Sequence, residues 1–412
     1  MEQTGNELWK LLRAPVGPLV PYIDKFAQQL CEQGFKRYSM SPQIRLMAKF
    51  SRWLKTNHIA LESLTDEHAQ RFISRSPRSK SVSNGYFAAI RRIMTFLRQL
   101  GATPEQMSLA VEVTPIQMAV FTFGQHLRQD QGLSPRTCIQ YISFVEPFLV
   151  ERFGNGSINF IELCAADVAN FIKRQAMRLS QARAKSATIA LRSYMRYLRF
   201  CGEIILDLAA AVPTVPNWSM TGIPRAISAD HVRAVLASCC RDTPVGCRDF
   251  AILMLLARLG LRSSEIVALT LDSINWDIGC ITVVGKGGNS AQLPLPSEVG
   301  EAIAVYLQRS RPSSSCRALF LRSNAPIRGL GSFTSIGSIV LAAITRAKIE
   351  TKYKGAHQFR HALACEMLRQ GASMTEIGSL LRHRHPKTTG IYAKVDFVAL
   401  RPLSLPWPGV AS

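Results

Sequence analysis

The stretch LLRHRHPKTTGIYAKVD, residues 380–396, gathers Arg382, His383, Arg384, His385, Lys387 and Lys394 around one phenol, Tyr392. Two readings compete for it. One is the solvated basic end of a helix. The other is a nucleophilic phenol, with cations placed for a group that carries two anionic oxygens. Just upstream, SMTEIGSLLRH (373–383) opens with a capping box, Ser373 with Glu376, and predicts a short helix ending near His383. Pro386 then predicts a new helix carrying Tyr392. Two helices meeting at a corner can aim His383 and Tyr392 into one cleft. A lone tyrosine at a helical position is more often half-buried core, so the rest of the chain has to decide.

The totals favour a polyanionic partner. The chain has 412 residues, 50 Lys plus Arg against 28 Asp plus Glu, and a formal net charge of +22. Neutralising phosphates with such a surplus releases condensed counterions. A hydrophobic content of 47% describes a globular chain with room for two or three cores. Its mean hydropathy of +0.07 agrees. The longest apolar run, AILMLLARLGL (251–261), is interrupted by Arg258 and falls short of a spanning helix. The first residues carry acids early and prolines late, unlike a signal peptide. Ten cysteines are scattered without a C-x-x-C pair, so reduced, mostly buried thiols, no metal and a cytoplasmic chain are expected.

Three ordered matches reveal an internal repeat. FAQQLCEQG from Phe26 parallels FGQHLRQDQG from Phe123, LTDEHAQRFI (64–73) parallels LCAADVANFI (163–172), and RRIMTFLRQLG (91–101) parallels RSYMRYLRFCG (192–202). The offsets are 97, 99 and 101 residues. Residues 19–105 and 114–212 therefore read as two copies of a unit of about four helices. In ALRSYMRYLRF (190–200), Leu191, Tyr194, Met195 and Leu198 trace one buried helical face, while Arg192, Arg196 and Arg199 fall on others. The expected domains are 1–110, 111–212, a proline-bearing linker at 213–224, and 225–412. The last mixes helices with a strand–turn–strand, CITVVGKGGNSAQLPLP (280–296), as an α+β domain with a small antiparallel sheet.

Four islands of that last segment carry polar residues that packing does not require. In ARLGLRSSEIVALTL (257–271), Glu265 stands three residues after Arg262 and can hold its guanidinium in one orientation, unless the two form only an ordinary helical ion pair. Lys286 sits at the hairpin tip, VVGKGGN. The hairpin fails as a phosphate-binding P-loop, because Gly287 stands where Ser or Thr should follow the lysine and no helix follows. In AHQFRHALACEMLRQG (356–371), His357, Arg360 and His361 lie at i, i+3 and i+4. Two of these have zinc-ligand spacing, but no Glu follows His357 and no third ligand is evident. Tyr392 with His383 forms the fourth.

The order Arg-x-x-Glu, hairpin Lys, His-x-x-Arg, His, then Tyr nine residues later resembles the catalytic domain of the tyrosine recombinases of the phage-integrase class. RLGLRSSEIVALTLDSI, VVGKGG, HQFRHALACEML and LLRHRHPKTTGIYAKVD carry the likeness, over about 225–400. The unit 114–212 resembles the family's core-binding domain, so with its repeat the expected architecture is mainly α: two helical core-binding-like (SAM-like) domains, then the α+β catalytic domain. It implies that Arg262 and Arg360 grip the scissile phosphate, with His383 adding a third hydrogen bond. His357 would act in proton transfer, Lys286 would protonate the leaving 5′-oxygen, and Tyr392 would attack phosphorus to give a 3′-phosphotyrosine. It implies double-stranded DNA as partner, no cofactor, and a tetramer on DNA with the tail 397–412 exchanged between protomers. The extra helical copy at 19–105 departs from the common two-domain layout, as in extended mobile-element integrases or transposases. Arg382 stands where the family usually has Gly, and His385 becomes a conceivable substitute for His383. The hairpin after Lys286 lacks the usual basic residues. A type IB topoisomerase, a silent DNA-binding regulator of the same fold and a zinc hydrolase are the competing accounts. At neutral pH a phenol with a pKa of about 10 is protonated, so nearby cations and a histidine are expected to ease its ionisation.

Overall fold

A computed structural model describes residues 14–75, 80–104, 114–154, 156–215, 224, 226–285, 288–351, 354–396 and 400–403. The chain forms two compact units. One joins residues 1–105 to 222–412, and the other spans 106–221.

In the first unit, α1 (Ile23–Glu32), α2 (Arg37–Thr56), α3 (Asp66–Ser74) and α4 (Lys80–Gln99) surround their own core. The second unit is built from α5 (Pro115–Gln129), α6 (Pro135–Phe153), α7 (Ala165–Arg178) and α8 (Gln181–Phe200), closed by the short α9 (Leu208–Ala211). Both third helices follow a 3-10 turn, Leu61–Ser63 and Phe160–Glu162. Positions paired in sequence share burial: Phe26 with Phe123, Leu30 with Leu127, Met94 with Met195 and Leu97 with Leu198 are all interior. Of the arginines on α8, Arg196 and Arg199 face solvent. Arg192 is half-buried and donates to the Val212 carbonyl at 2.8 Å.

The last segment follows with α10 (Ala229–Ala237) and α11 (Pro244–Arg258). Pro244 fits the first turn of α11, and Thr243 Oγ1 caps it by accepting from the Gly246 N–H at 3.1 Å. DFAILMLLA is apolar around nearly its whole circumference, so α11 runs through the core. The short α12 (Ser263–Ala268) leads to the strands β1 (Ile274–Asn275), β2 (Cys280–Val284) and β3 (Ser290–Pro294), an antiparallel sheet in that order. Ile281 pairs with Leu293 and Val283 with Ala291, which turns Ile281, Val283 and Leu293 onto the core. The two-residue edge strand β1 was not evident in the sequence.

Helices α13 (Ser297–Val305) and α14 (Phe333–Arg346) complete the main core. Then α15 (His357–Arg369), α16 (Met374–Leu380) and α17 (Pro386–Thr389) form a corner with a small apolar cluster of its own. The Ser373–Glu376 capping box is present. Helix α17 stops at Thr389, however, and Tyr392 sits on the 3-10 turn Gly390–Val395 instead of a continuing helix. The expectation of mostly buried thiols is also corrected: all ten cysteines are free, but only Cys138, Cys239, Cys247 and Cys365 are buried.

The first helical unit docks onto the last segment through its backbone. The Ile327 N–H donates to the Gln33 carbonyl at 2.8 Å. Beside it, Gly34 has φ +78°, and a Cβ there would stand 2.4 Å from Ile327 Cγ1. Gly34→Ala should therefore destabilise the protein by about 1–3 kcal/mol, from left-handed strain and overpacking together. Urea unfolding checks this, and an unchanged midpoint would mean that the contact yields freely.

Candidate active site

Arg262 is the N-cap of α12, and Glu265 closes back on it. The Arg262 N–H donates to Glu265 Oε2 at 2.8 Å, and its Nη1 donates to Oε1 at 2.6 Å. Glu265 is 1% exposed, so this is a buried brace and not the ordinary surface pair. Arg382 Nη2 donates to the same Oε2 at 2.9 Å. Burial by itself would raise the Glu265 pKa. The Arg262 N–H and the two guanidiniums outweigh it and hold the carboxyl below its usual range. Gly285, at the root of the hairpin, borders this pair: a Cβ built there would lie 3.9 Å from Glu265 Oε1. Lys286 itself lies outside the described residues.

Arg360, on the first turn of α15, is 2% exposed. Its Nη1 donates to the Gly260 carbonyl at 2.5 Å and its Nη2 to the Leu381 carbonyl. Gly260 lies in the Leu-Gly-Leu turn with φ +57°, and a Cβ there would meet Leu381 Cδ2 at 2.8 Å. Only glycine lets that turn approach closely enough to hold the guanidinium. Burial first, then the Arg262 and Arg382 charges, bring the Arg360 pKa down to about 10, so it is still protonated at neutral pH.

Three histidines crowd the same corner. The His357 and His361 rings meet edge-on, with centroids 4.9 Å apart. His357 keeps solvent contact, yet loss of solvent is the first cause lowering its pKa, followed by Arg360 and Arg262. His383 Nδ1 lies 2.8 Å from Thr389 Oγ1, so its free Nε2 carries the proton if Nδ1 accepts. Burial, then Arg360 and Arg262, then the other two histidines, push the His383 pKa down to about 4. His385, the substitute considered above, is exposed at the start of α17.

Tyr392 is 1% exposed and packs with Ala364, Cys365, Ile377 and Leu381. Its hydroxyl lies 3.0 Å from His361 Nδ1, and the two rings meet at 5.6 Å. Burial pushes the phenol pKa up to about 12 against the lowering effect of Arg360, with Cys365 adding to the rise. The expectation of eased ionisation is thus reversed in this state. His361 is the functional neighbour that the sequence reading set aside as half of a zinc pair. Its signal was present, since α15 places it next to Arg360 and one turn from His357. Among the described residues no group of three His, Cys, Asp or Glu is arranged to hold a metal ion. Of the tail, 397–399 and 404–412 lie outside the described residues.

These shifts set a pH dependence. The unfolded imidazole of His383 binds its proton near 6.5 and the folded one only near 4. Its contribution is therefore complete above pH 6.5 and is lost as pH falls towards 4, in the same direction as those of His357 and Glu265. Tyr392 acts on the other side: its contribution is complete below pH 10 and is lost as pH rises towards 12. Thermal unfolding across this range should show a midpoint falling at both ends, with the acid limb flattened in His383→Gln. An acid limb of equal slope in that variant would contradict the assignment.

The segment 225–398 matches the model of the phage integrase family. Over all 412 residues the chain is 48% identical to a protein of Sinorhizobium fredii named integrase/recombinase y4rA, covering 100% of both chains. It is 30% identical to the tyrosine recombinase XerD of Listeria monocytogenes, over 68% of this chain and 94% of that one. Among solved structures, XerH bound to a palindromic difH substrate aligns with a TM-score of 0.55 and 17% identity, over 70% of this chain and 96% of that one. A lambda integrase dimer bound to a core site aligns at 0.53 and 16%, over 71% and 99%. Ordered motifs, convergent side chains and full-length similarity thus lead to one conclusion: the chain belongs to the phage-integrase family of tyrosine recombinases.

Proposed function

We propose that this site-specific DNA recombinase cuts and rejoins duplex DNA through a 3′-phosphotyrosine on Tyr392. The observation that carries the reading is the corner itself. Arg262 and Arg360 come from separate elements, and Arg360 acts electrostatically on both His383 and Tyr392. Arg262 and Arg360 would hold the non-bridging oxygens of the scissile phosphate, and His383 would donate there from Nε2. The in-line displacement develops charge on those oxygens, and fixed guanidiniums stabilise it without reorganising. They supply the charge that a two-metal site would otherwise provide.

In the step itself, the Tyr392 oxygen forms a bond to phosphorus as the bond from phosphorus to the 5′-oxygen breaks. The phenolic proton leaves, and the 5′-oxygen is protonated, a role proposed for Lys286, with His357 assisting proton transfer. His361 Nδ1 lies 3.0 Å from the phenol oxygen and would accept its proton in the tautomer that leaves Nδ1 bare. The number of phosphodiester-type bonds is conserved, so a new 5′-hydroxyl can reverse the step without a nucleotide cofactor. A phenol 1% exposed cannot reach phosphorus. On this reading the turn Gly390–Val395 swings out once DNA is bound.

We further propose that 1–110 and 111–212 are two helical DNA-binding units. On DNA the protomers would form a tetramer coupled through the tail. A lambda integrase tetramer bound to a Holliday junction has a fold similar to this chain (TM-score 0.51), which is compatible with that assembly. Nicked suicide duplexes carrying candidate element ends test the reading, because release of a short 5′-hydroxyl strand traps the covalent adduct. Two differently labelled duplexes then separate strand exchange from simple resealing. No adduct on any substrate would refute the proposal.

A further inference from the structure

Arg382 stands at a backbone position made for glycine. It has φ +53°, in the left-handed region that costs a side chain with a Cβ more than glycine. The turn around it closes helix α16: the Arg382 N–H donates to the Ser379 carbonyl at 3.0 Å and the His383 N–H to the Gly378 carbonyl at 2.9 Å. Among the described residues two other non-glycine positions share this φ, His58 and Lys348, and both are exposed helix ends. Arg382 differs because its side chain turns inward. It is 13% exposed and ends on a carboxylate that is 1% exposed.

We propose that Arg382 is a positioning residue for strand cleavage, the third member of an Arg262–Glu265–Arg382 clasp. The inference rests on the reading of the site given above. Glu265 Oε1 receives Arg262 Nη1, and Oε2 receives both the Arg262 N–H and Arg382 Nη2. Arg382 Nη1 donates to the Leu380 carbonyl at 3.0 Å, which ties the far end of the clasp to the turn. The residue before Arg382 supplies the Leu381 carbonyl that holds Arg360, and the residue after it is His383.

One side chain therefore links the start of α12, which bears Arg262, to the turn that fixes Arg360 and His383. Removing it leaves the carboxylate attached to Arg262 alone and frees the turn from α12. The three groups proposed to contact the phosphate would then lose their common reference. A glycine at this position satisfies the backbone but cannot make that link, which explains a costly residue in a turn that does not need it.

The test compares the full-length chain with Arg382→Gly and Arg382→Lys on nicked suicide duplexes. Adduct formation is measured at saturating DNA, together with DNA affinity and thermal unfolding. Arg382→Gly relieves the strain at φ +53° but gives up the ion pair to a buried carboxylate, so the two effects should offset and leave the unfolding midpoint little changed. It should nevertheless slow cleavage about 10- to 100-fold, with DNA affinity nearly unchanged. Lysine should restore part of the rate. Combined with Glu265→Gln, the loss should be smaller than the product of the two single losses. Cleavage at the unmodified rate in Arg382→Gly would overturn the proposal and leave Arg382 a helix cap. A rate loss that tracks a lowered unfolding midpoint would overturn it too. If the unmodified chain forms no adduct, the reading of the whole site falls and this inference with it, an outcome distinct from both others.

Discussion

Replacing Tyr392 with phenylalanine should abolish the covalent protein–DNA adduct while leaving DNA binding intact. Phenylalanine keeps the ring among Ala364, Cys365, Ile377 and Leu381 and deletes only the hydroxyl. The fold loses one hydrogen bond, to His361, and stability should change by no more than about 1 kcal/mol. On the proposed mechanism the reaction loses its nucleophile, so no covalent adduct should form. Gel-shift and adduct assays on the same substrate read the two effects separately. Adduct persisting in Tyr392→Phe would place the nucleophile elsewhere. Unchanged DNA-dependent activity of every kind would favour a silent DNA-binding regulator.

Arg360→Ala should have the second largest effect, and it should damage fold and chemistry together. The guanidinium is interior and satisfies the Gly260 and Leu381 carbonyls. Truncation strands both carbonyls and opens a cavity where α11, α15 and α16 meet, at a cost on the order of 2–5 kcal/mol. Cleavage should fall by a further factor of about 100–1,000, as for loss of a fixed donor to a developing oxyanion. Arg360→Lys separates the two losses. A lysine keeps the charge and most of the volume but cannot fork to two carbonyls, so stability should recover more than rate. Equal recovery of both would argue that Arg360 serves the fold alone.

Much of this was legible in the sequence because it depends on local spacing. The capping box at Ser373, the Arg262–Glu265 brace and the i, i+3, i+4 placement on α15 each need only a helix to bring residues together. The β2–β3 hairpin announced itself by its glycines and alternation. What escaped was set by burial and by contacts distant in sequence. Arg382 reaches Glu265 across 117 residues, and nothing in either neighbourhood predicts that pairing. The hydrogen bond between His361 and Tyr392, 31 residues apart, decides which histidine touches the phenol. The raised phenol pKa follows from enclosure by aliphatic side chains, whereas counting cations in the peptide pointed the other way.

The backbone bond between Gln33 and Ile327 has a consequence for how the protein is made. Its two ends are separated by 327 − 33 = 294 residues. At about 5–20 residues per second, the ribosome delivers the second end roughly 15–60 s after the first. Helices α1–α4 must wait out that interval with one flank uncovered, sheltered only by the interior they build from Phe26, Leu30, Phe50 and Leu97. A slower-translated message would lengthen their exposure to chaperones and proteases before the catalytic segment arrives to cover it.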